Sequence, residues 1–335
     1  MDKYTKKKRK NQVLVNFIKS FVSETNLELI EDCNTFMMFV SDEKMEKKKQ
    51  HKGNSCKNRF CPICSWRKAK KDALALSVQM KYVKEEHQKE FIFLTLTTPN
   101  VRADELENEI KTYNKSFKKL MERKEVKTIV KGYVRKLEIT YNKERFITQK
   151  MYEKAQAYYD NKGLQVGDNN PNYDTYHPHF HVLIAVNKSY FTDKDYYINR
   201  DRWLELWQQA TGNPAITQVD VRKVRENSNK EVAEVAKYSA KDSDYLVDEK
   251  VFEVFYKALK GKRLIVYSGL FKESMKLFKN GELDKYKEAD QTKYVYALLY
   301  NWAKGEYVEK EKRLLTEDEQ KEINGQLFDE MEVEE

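Results

Sequence analysis

Three of the chain's five histidines, His177, His179 and His181, lie in one short segment, YHPHFHVLIAV. In a β-strand alternate side chains point to the same side, so His179 and His181 would present two neighbouring imidazoles. Neutral imidazole is a common ligand of divalent metals. The spacing therefore predicts a metal site at His179 and His181. His177 is the weaker candidate, because Pro178 can begin a strand rather than continue one.

A carboxylate on another segment is the candidate third ligand. Glu138, in KLEIT, alternates with Leu137 and Ile139, which we expect to face the core. A set of two histidines and a carboxylate with open water positions suits Mn²⁺ or Mg²⁺ better than a closed structural zinc site. The alternative is a group of surface histidines that binds nothing. Because residues 143–172 separate the two segments, their adjacency is an inference.

A second pattern lies in NKEVAEVAKYSAKDSDY, where steps of three and four predict a helix over residues 229–242. A tyrosine hydroxyl has a pKa of about 10, so Tyr238 would need a metal-polarised phosphate and a nearby cation to act as a nucleophile. Lys241 is the candidate cation, and Glu234, a carboxylate one turn before Tyr238, would make a plausible catalytic pair with it. Taken alone, the pattern is more typical of a solvated helix face. The residues expected to share that face are Glu231, Glu234, Tyr238 and Lys241.

The four cysteines form a candidate zinc site. Cys56, Cys61 and Cys64 have the spacing C-x-x-x-x-C-x-x-C, and Cys33 lies upstream as the least certain ligand. The C-x-x-C half fits one side of a tetrahedral site, and four thiolates would complete it. The alternative is a set of free buried thiols.

A basic run follows the last cysteine, at the start of a segment with helical periodicity. Such cations can contact DNA phosphates, although a basic solvent-exposed face explains them equally well. The candidate DNA-binding residues are Arg67, Lys68, Lys70 and Lys71.

Strands and helices must alternate to position these groups. Runs rich in β-branched and aromatic residues predict strands, and apolar residues at steps of three and four predict helices. The expected fold class is α+β, with an antiparallel sheet, helices on one face, a Cys-rich N-terminal element and a helical C-terminal region. The predicted strands are 91–98, 132–142, 177–186 and 216–224, and the predicted helices are 106–120, 193–211 and 229–242.

Composition limits the class of protein. The chain has 335 residues and a net charge of +9, which indicates a polyanionic partner or a lysine-rich surface. Neither a membrane-spanning apolar stretch nor a secretory signal is visible, so we expect a cytoplasmic protein with reduced thiols and no membrane partner. The expected regions are a basic, cysteine-bearing one at 1–87, a catalytic domain at 88–250, a mostly helical region at 251–315 and an acidic, disordered tail at 316–335.

Several motifs resemble those of one family when taken in order. TLTTPN, KLEITYN, YHPHFHVL and EVAKYSAKDSDY are similar to the successive motifs of rolling-circle replication initiators of small Gram-positive plasmids, within the HUH endonuclease superfamily. The closest group pairs one catalytic tyrosine with a glutamate four residues earlier. CKNRFCPICSWRKAK and RLIVYSGLFKE extend the resemblance from about residue 33 to residue 273.

The resemblance implies an HUH-type sheet and a mechanism. His179 and His181, with Glu138, would hold the metal, and Tyr238 would attack a DNA phosphate to leave a 5′-phosphotyrosine and a priming 3′-OH. Glu234 would activate water to release the enzyme at termination. The implied partners are a double-strand origin, a single strand or hairpin at the nick, and a host helicase.

Two alternatives remain open at this stage. A conjugative relaxase or a single-tyrosine transposase would use a similar metal site, although Glu234 favours replication because it provides hydrolytic release. A zinc-dependent DNA-binding regulator without catalysis would explain the cysteines and the charge. It would leave His179, His181 and Tyr238 without a role.

Overall fold

The computed structural model describes residues 1–225, 229–236 and 240–324, which divide into two compact units. The first consists mainly of Met1–Tyr82 and the residues after Ser274, and the second mainly of Val83–Val235 and the residues up to Glu273. Each unit has its own antiparallel sheet. Among the described residues, no helix is both long enough and apolar enough to cross a membrane.

The described residues form helices and strands throughout both units. The α-helices are α1 (Asp2–Ile18), α2 (Glu24–Glu31), α3 (Pro62–His87), α4 (Leu106–Glu122), α5 (Lys124–Ile129), α6 (Gln149–Lys154), α7 (Gln156–Asp160), α8 (Arg200–Thr211), α9 (Asn229–Ala236), α10 (Asp242–Tyr245), α11 (Glu249–Leu259), α12 (Leu270–Lys279) and α13 (Glu317–Asn324). The strands are β1 (Phe36–Asp42), β2 (Lys48–Gly53), β3 (Lys89–Thr97), β4 (Gly132–Asn142), β5 (Thr175–Asn187), β6 (Val219–Lys223), β7 (Ile265–Gly269), β8 (Tyr294–Ala303) and β9 (Glu306–Leu314).

The sheet of the second unit has five strands in the order β6-β3-β5-β4-β7, and all neighbours are antiparallel. The four strands predicted in this region are all present. The predicted adjacency of the Glu138 strand and the histidine strand is confirmed, since β4 pairs with β5. In that register Glu138 lies directly opposite His179.

One face of this sheet is covered by α4 and α8. The Phe180 ring lies 4.8 Å from Tyr113 and 5.5 Å from Phe117, and Tyr113 contacts Trp207 at 5.3 Å. All four rings are buried, so this face carries the core of the unit. The helix predicted over 193–211 begins only at Arg200, because the Asn199 side chain accepts a hydrogen bond from the Arg202 N–H and caps it there.

The expectation that helices lie on one face only is wrong, because α9 lies against the other face. Arg222 of β6 donates to Glu231 of α9 at 3.1 Å, and Glu234 of α9 reaches to 3.8 Å from His181 of β5. Strand alternation places charged and imidazole side chains on this face, and the carboxylates of α9 complement them.

The helix predicted over 229–242 does not run continuously. Helix α9 covers Asn229–Ala236, and a separate helix, α10, begins at Asp242 after Lys241, whose backbone is extended with ψ 145°. Asp242 and Asp244 in the first turn of α10 favour a new helix N-terminus there. Lys241 therefore does not share a helical face with Glu231 and Glu234. Tyr238 lies outside the described residues.

The first unit contains a second antiparallel sheet, in the order β2-β1-β8-β9. Strands β8 and β9 form a hairpin whose turn residues, Lys304 and Gly305, both have positive φ. The region 251–315, expected to be mostly helical, thus contributes β7 to one sheet and a hairpin to the other. The strands have a local cause, because the two segments that flank the turn, YVYALLYNWA and EYVEKEKRL, contain residues typical of β-strands.

The expected disorder of the acidic segment is wrong for its first half. Thr316 and Glu319 form a capping box, in which the Glu319 N–H donates to Thr316 and the Thr316 N–H donates to Glu319. The box starts α13, whose Ile323 is buried in a cluster with Met38 and Val40 of β1. Residues 325–335 lie outside the described residues.

Candidate metal centre and cysteine site

Glu138, His179 and His181 converge on the sheet face opposite α4 and α8. His181 Nε2 lies 2.9 Å and His179 Nε2 3.3 Å from Glu138 Oε2, and the ligand atoms of all three residues lie within 4.8 Å of one another. All three side chains are almost fully buried. Two imidazoles and one carboxylate form a half-complete coordination shell that suits Mn²⁺ or Mg²⁺ with water in the remaining positions.

The other nitrogen of each imidazole is held by the protein. His179 Nδ1 donates to the carbonyl oxygen of His177 at 3.2 Å, and His181 Nδ1 shares a hydrogen bond with the Thr95 hydroxyl at 3.4 Å. A carbonyl only accepts, so Nδ1 of His179 carries a proton and Nε2 is the nitrogen that faces the cluster. Such outer contacts orient the ligands of metal sites.

The electrostatics of the cluster keep its carboxylate ionised. Burial works to raise the pKa of Glu138, but hydrogen bonds to His179 and His181 outweigh it and hold this pKa well below its ordinary value. Burial, and then the neighbouring His179, lowers the pKa of His177 to about 4. The His177 ring stacks on His179 with centroids 5.3 Å apart, and it is not one of the three converging ligands.

Glu234 faces the cluster from α9. Its Oε2 atom lies 3.8 Å from His181 Nε2, and its side chain is 23% exposed, so water can reach the carboxylate. Glu231, predicted on the same face, is instead buried and paired with Arg222. Lys241 precedes α10 as its N-cap residue.

Sequence reasoning missed two residues beside this cluster. Thr95 lies on β3, directly opposite His181, where its hydroxyl meets Nδ1. Asp244 of α10 lies at the end of β4, where it accepts a hydrogen bond from the Tyr141 backbone N–H, and burial raises its pKa to about 6. The threonine could have been found from the TLTT segment once the strand pairing was known. The DSD run after the tyrosine was the only signal for Asp244.

The four predicted cysteines also converge. Cys33 Sγ lies 3.4 Å from Cys64 Sγ and 3.6 Å from Cys61 Sγ, and Cys56 Sγ lies 3.6 Å from Cys64 Sγ. Four sulfurs around zinc at about 2.3 Å would be about 3.8 Å apart, so the group fits a tetrahedral zinc ion. Without a metal, mutual hydrogen bonds lower the pKa of Cys33 and Cys64 and raise that of Cys56 and Cys61, so the four thiols share their protons unequally and the geometry carries the zinc assignment.

A buried lysine lies next to these sulfurs and was not predicted. Lys8 Nζ donates to the carbonyl oxygens of Glu31 and Cys33 at 2.7 Å each, and to Asn11 Oδ1 at 3.3 Å. Asn11 Nδ2 in turn lies 3.6 Å from Cys61 Sγ. Helix α1 therefore supplies a cation and an amide donor to the cysteine site.

The candidate DNA-binding residues lie on the first turns of α3. Lys68 pairs with Asp72 at 2.8 Å, and Lys70 lies 5.0 Å from the centre of the buried Trp66 ring. Lys71 is exposed and Arg67 is half-buried. Two of the four thus have protein partners, and their contact with DNA stays a prediction.

Comparison with known proteins gives one consistent result. The family model described as "Replication protein" matches residues 47–308. A "Protein rep" of Staphylococcus aureus is 58% identical over 249 residues, which are 74% of this chain and 96% of that protein. A "Protein rep" of Bacillus amyloliquefaciens is 32% identical over 296 residues, covering 78% of this chain and 77% of that protein. No solved structure matches the chain.

Proposed function

Because the chain belongs to the replication protein family, we propose that it initiates rolling-circle replication of a plasmid by nicking one DNA strand in a metal-dependent reaction. The observation that carries the proposal is the convergence of Glu138, His179 and His181 on one sheet face, with Glu234 at 3.8 Å from His181. This is the arrangement expected of an HUH-type endonuclease. Residues 88–250 would form that domain.

In this mechanism Glu138, His179 and His181 would hold a divalent metal, which would supply Lewis-acid polarisation of the scissile phosphate. The Tyr238 hydroxyl, assigned from the sequence resemblance, loses its proton and attacks phosphorus. A tyrosyl O–P bond forms and the P–O3′ bond breaks, so the enzyme carries the 5′ end and the 3′ oxygen takes up a proton. The free 3′-OH then primes synthesis, and a host helicase would unwind the duplex ahead of it.

Glu234 is proposed as the general base of termination. Its carboxylate would take a proton from water, which attacks the phosphotyrosine and releases the tyrosine hydroxyl. Both its position beside His181 and its partial exposure support this role. A carboxylate here favours hydrolytic release over the repeated strand transfer of a relaxase or transposase.

The cysteine site is proposed to hold structural Zn²⁺ through Cys33, Cys56, Cys61 and Cys64, because the sulfur spacing fits tetrahedral coordination. The adjacent start of α3 would contact origin DNA phosphates. A DNA-binding regulator would need this site alone, but it would leave the buried cluster of Glu138 and two histidines without a role.

The test is nicking of a supercoiled plasmid that carries the cognate origin, with Mn²⁺, followed by mass spectrometry of the trapped adduct. We expect a nucleotide on Tyr238, no nicking or adduct with Tyr238→Phe, and normal nicking with impaired release for Glu234→Gln. The exposed Tyr197→Phe is the control and should behave as wild type. An adduct on another tyrosine, or normal nicking by Tyr238→Phe, would contradict the assignment.

A further inference from the structure

Residues 143–174 leave the central sheet between β4 and β5 and fold on themselves. The Ile147 N–H donates to the Asp168 carbonyl, the Gly167 N–H donates to the Ile147 carbonyl, and Phe146 forms a bridge with Asn169. Ile147 and Tyr159, the latter on α7, are both buried, so apolar side chains of the segment are shielded from solvent. The segment is therefore an ordered projection from the sheet.

Three aromatic rings of this projection remain on its surface. Phe146 is 52% exposed, Tyr158 39% and Tyr173 42%. A single exposed ring is ordinary on a protein surface. Three on one 32-residue segment, beside a candidate nuclease site, match the stacking platforms that bind unpaired bases.

Two of these rings have a cation close to the ring, and the third residue has one at its backbone carbonyl. Arg145 Cζ lies 5.8 Å from the Phe146 ring centre, and Lys162 Nζ lies 4.9 Å from that of Tyr158. Near the third ring, Arg102 Nη1 donates to the Tyr173 carbonyl at 3.2 Å. A ring with an adjacent cation can take a base on its face and the neighbouring phosphate on the charge.

The formal net charge of the projection is zero, but its cations and its carboxylates differ in the local contacts that they make. Arg145, Lys150, Lys154 and Lys162 form no salt bridge within the described part of the chain. Four of the five carboxylates, by contrast, are engaged in local hydrogen bonds: Glu153 accepts from Gln149, Asp160 from Tyr152, Asp168 from the Gln165 N–H, and Asp174 from Tyr141. All four of these cations are exposed, so they can approach the phosphates of a nucleic acid.

The projection starts close to the candidate metal centre. Glu138 lies opposite His179, and Asn142 and Thr175, the last pair of the same ladder, lie opposite each other four residues further on. At about 3.3 Å per residue, the projection begins about 13 Å from the cluster along the strands. A strand held at the metal centre would extend over it within a few nucleotides.

We infer that residues 143–174 bind the single-stranded DNA next to the nick, with unpaired bases stacked on Phe146, Tyr158 and Tyr173. The inference rests on the proposed function, since it assumes a single strand at this site. Unpaired bases are required because only they expose a face for the rings. Phosphates of the same strand would lie near Arg145, Lys162 and Arg102.

The experiment measures binding of full-length protein to a fluorescein-labelled single strand of 20 nucleotides by anisotropy, in buffer without added Mg²⁺ or Mn²⁺. Each of Phe146→Ala, Tyr158→Ala and Tyr173→Ala should weaken binding about tenfold. Phe146→Trp keeps a stacking face and should retain wild-type affinity. The matched control is Tyr197→Ala, which removes an exposed tyrosine outside the projection and should change nothing.

A blunt duplex of the same sequence separates stacking from general charge. Its affinity should be unchanged in all three variants, and their thermal unfolding should match wild type. Single-strand affinities within twofold of wild type, or equal losses for single strand and duplex, would overturn the inference. If the inference fails in this way but wild type still forms the Tyr238 adduct, the proposed function stands and only the role of residues 143–174 is lost. If wild type forms no adduct, the proposed function fails, whereas ring-dependent binding would still support the projection as a single-strand site.

Discussion

Backbone and side-chain contacts decide which nitrogen of each histidine ring faces the candidate metal centre. The His177 carbonyl holds Nδ1 of His179, and Thr95 holds Nδ1 of His181. The two ligand nitrogens are thereby directed to Glu138 before any metal binds, which reduces the ordering that binding requires.

The Thr95 contact gives a first prediction. Thr95→Val removes the hydroxyl but keeps the shape, so His181 loses its outer partner and Mn²⁺ affinity should fall about tenfold. Electron paramagnetic resonance of free Mn²⁺ would measure this affinity. Thr97→Val, on the same strand, removes a hydroxyl that instead donates to the Gln218 carbonyl, and it should bind Mn²⁺ as wild type does. Equal affinity in both variants would mean that Thr95 does not position His181.

Asp244 gives a pH-dependent prediction. Burial raises the pKa of its carboxyl group from 3.8 to about 6, so the folded protein binds this proton more tightly than the unfolded chain. Its contribution to stability is therefore present at low pH and is lost as pH rises from about 4 to about 6. Asp244→Asn has no such titration. The free energy of unfolding of the variant minus that of wild type should therefore be about 2 kcal/mol larger at pH 7 than at pH 4, as measured by urea unfolding. The same difference at both pH values would contradict the shift.

The backbones of strands β4 and β7 approach each other closely at two glycines. Gly132 of β4 lies opposite Gly269 of β7, and a Cβ at Gly132 would lie 2.7 Å from the Leu270 nitrogen and 2.8 Å from the Ser268 oxygen. These are backbone atoms, which cannot move aside cheaply. The close approach is what lets β7 extend the sheet next to the Glu138 strand.

Gly132→Ala should therefore destabilise the second unit by about 2–3 kcal/mol through overpacking. Gly163→Ala is the control: it has a positive φ but nothing within 4 Å, so it should cost only about 1 kcal/mol of backbone strain. Urea unfolding of both variants would compare them. A smaller loss for Gly132→Ala than for Gly163→Ala would show that the strands can move apart.

Helix α1 is tied to the cysteine site by Lys8. A tetrahedral zinc ion with four thiolates carries a net charge of −2, and the buried Lys8 ammonium would offset part of it. Lys8→Met should make zinc about tenfold easier to remove with a chromogenic chelator. Lys6→Met, which breaks an exposed pair with Asp2, should leave zinc retention unchanged. Identical zinc loss in both variants would remove Lys8 from the site.

At the scale of the whole molecule, each compact unit has its own sheet and its own candidate metal site. The net charge of +9 suits DNA, and the predicted phosphate contacts at the start of α3 would make binding depend on salt. Lys70→Glu with Lys71→Glu should weaken origin binding and reduce the slope of log K against log salt by about 0.9 for each phosphate that is no longer neutralised. Filter binding at several salt concentrations measures the slope. The exposed Lys118→Glu on α4 is the control, and an unchanged slope in the double variant would exclude α3 from the interface.

The sequence by itself determined the parts that depend on local periodicity. Alternation in β4 predicts that Glu138 and Leu137 point to opposite faces of the sheet, and alternation in β5 predicts that His179 and His181 point to the same face. Both follow because side chains along a pleated strand have a period of two. The grouping of Cys56, Cys61 and Cys64 followed from their short spacings, whereas Cys33 was the least certain ligand in the sequence. These features are why the family resemblance was visible in the sequence, although the roles of the residues stay predictions.

Only the tertiary structure decided what depends on distant partners. The pairing of β1 with β8 joins residues more than 250 positions apart, and the burial of Lys8 depends on carbonyls of Glu31 and Cys33 that periodicity cannot locate. The same holds for the interruption before Asp242, since a helical pattern of side chains continues through Lys241 while the backbone of Lys241 is extended. Local spacing specifies which face a side chain shares, whereas burial and hydrogen bonding to the rest of the chain decide where an element ends and what it meets.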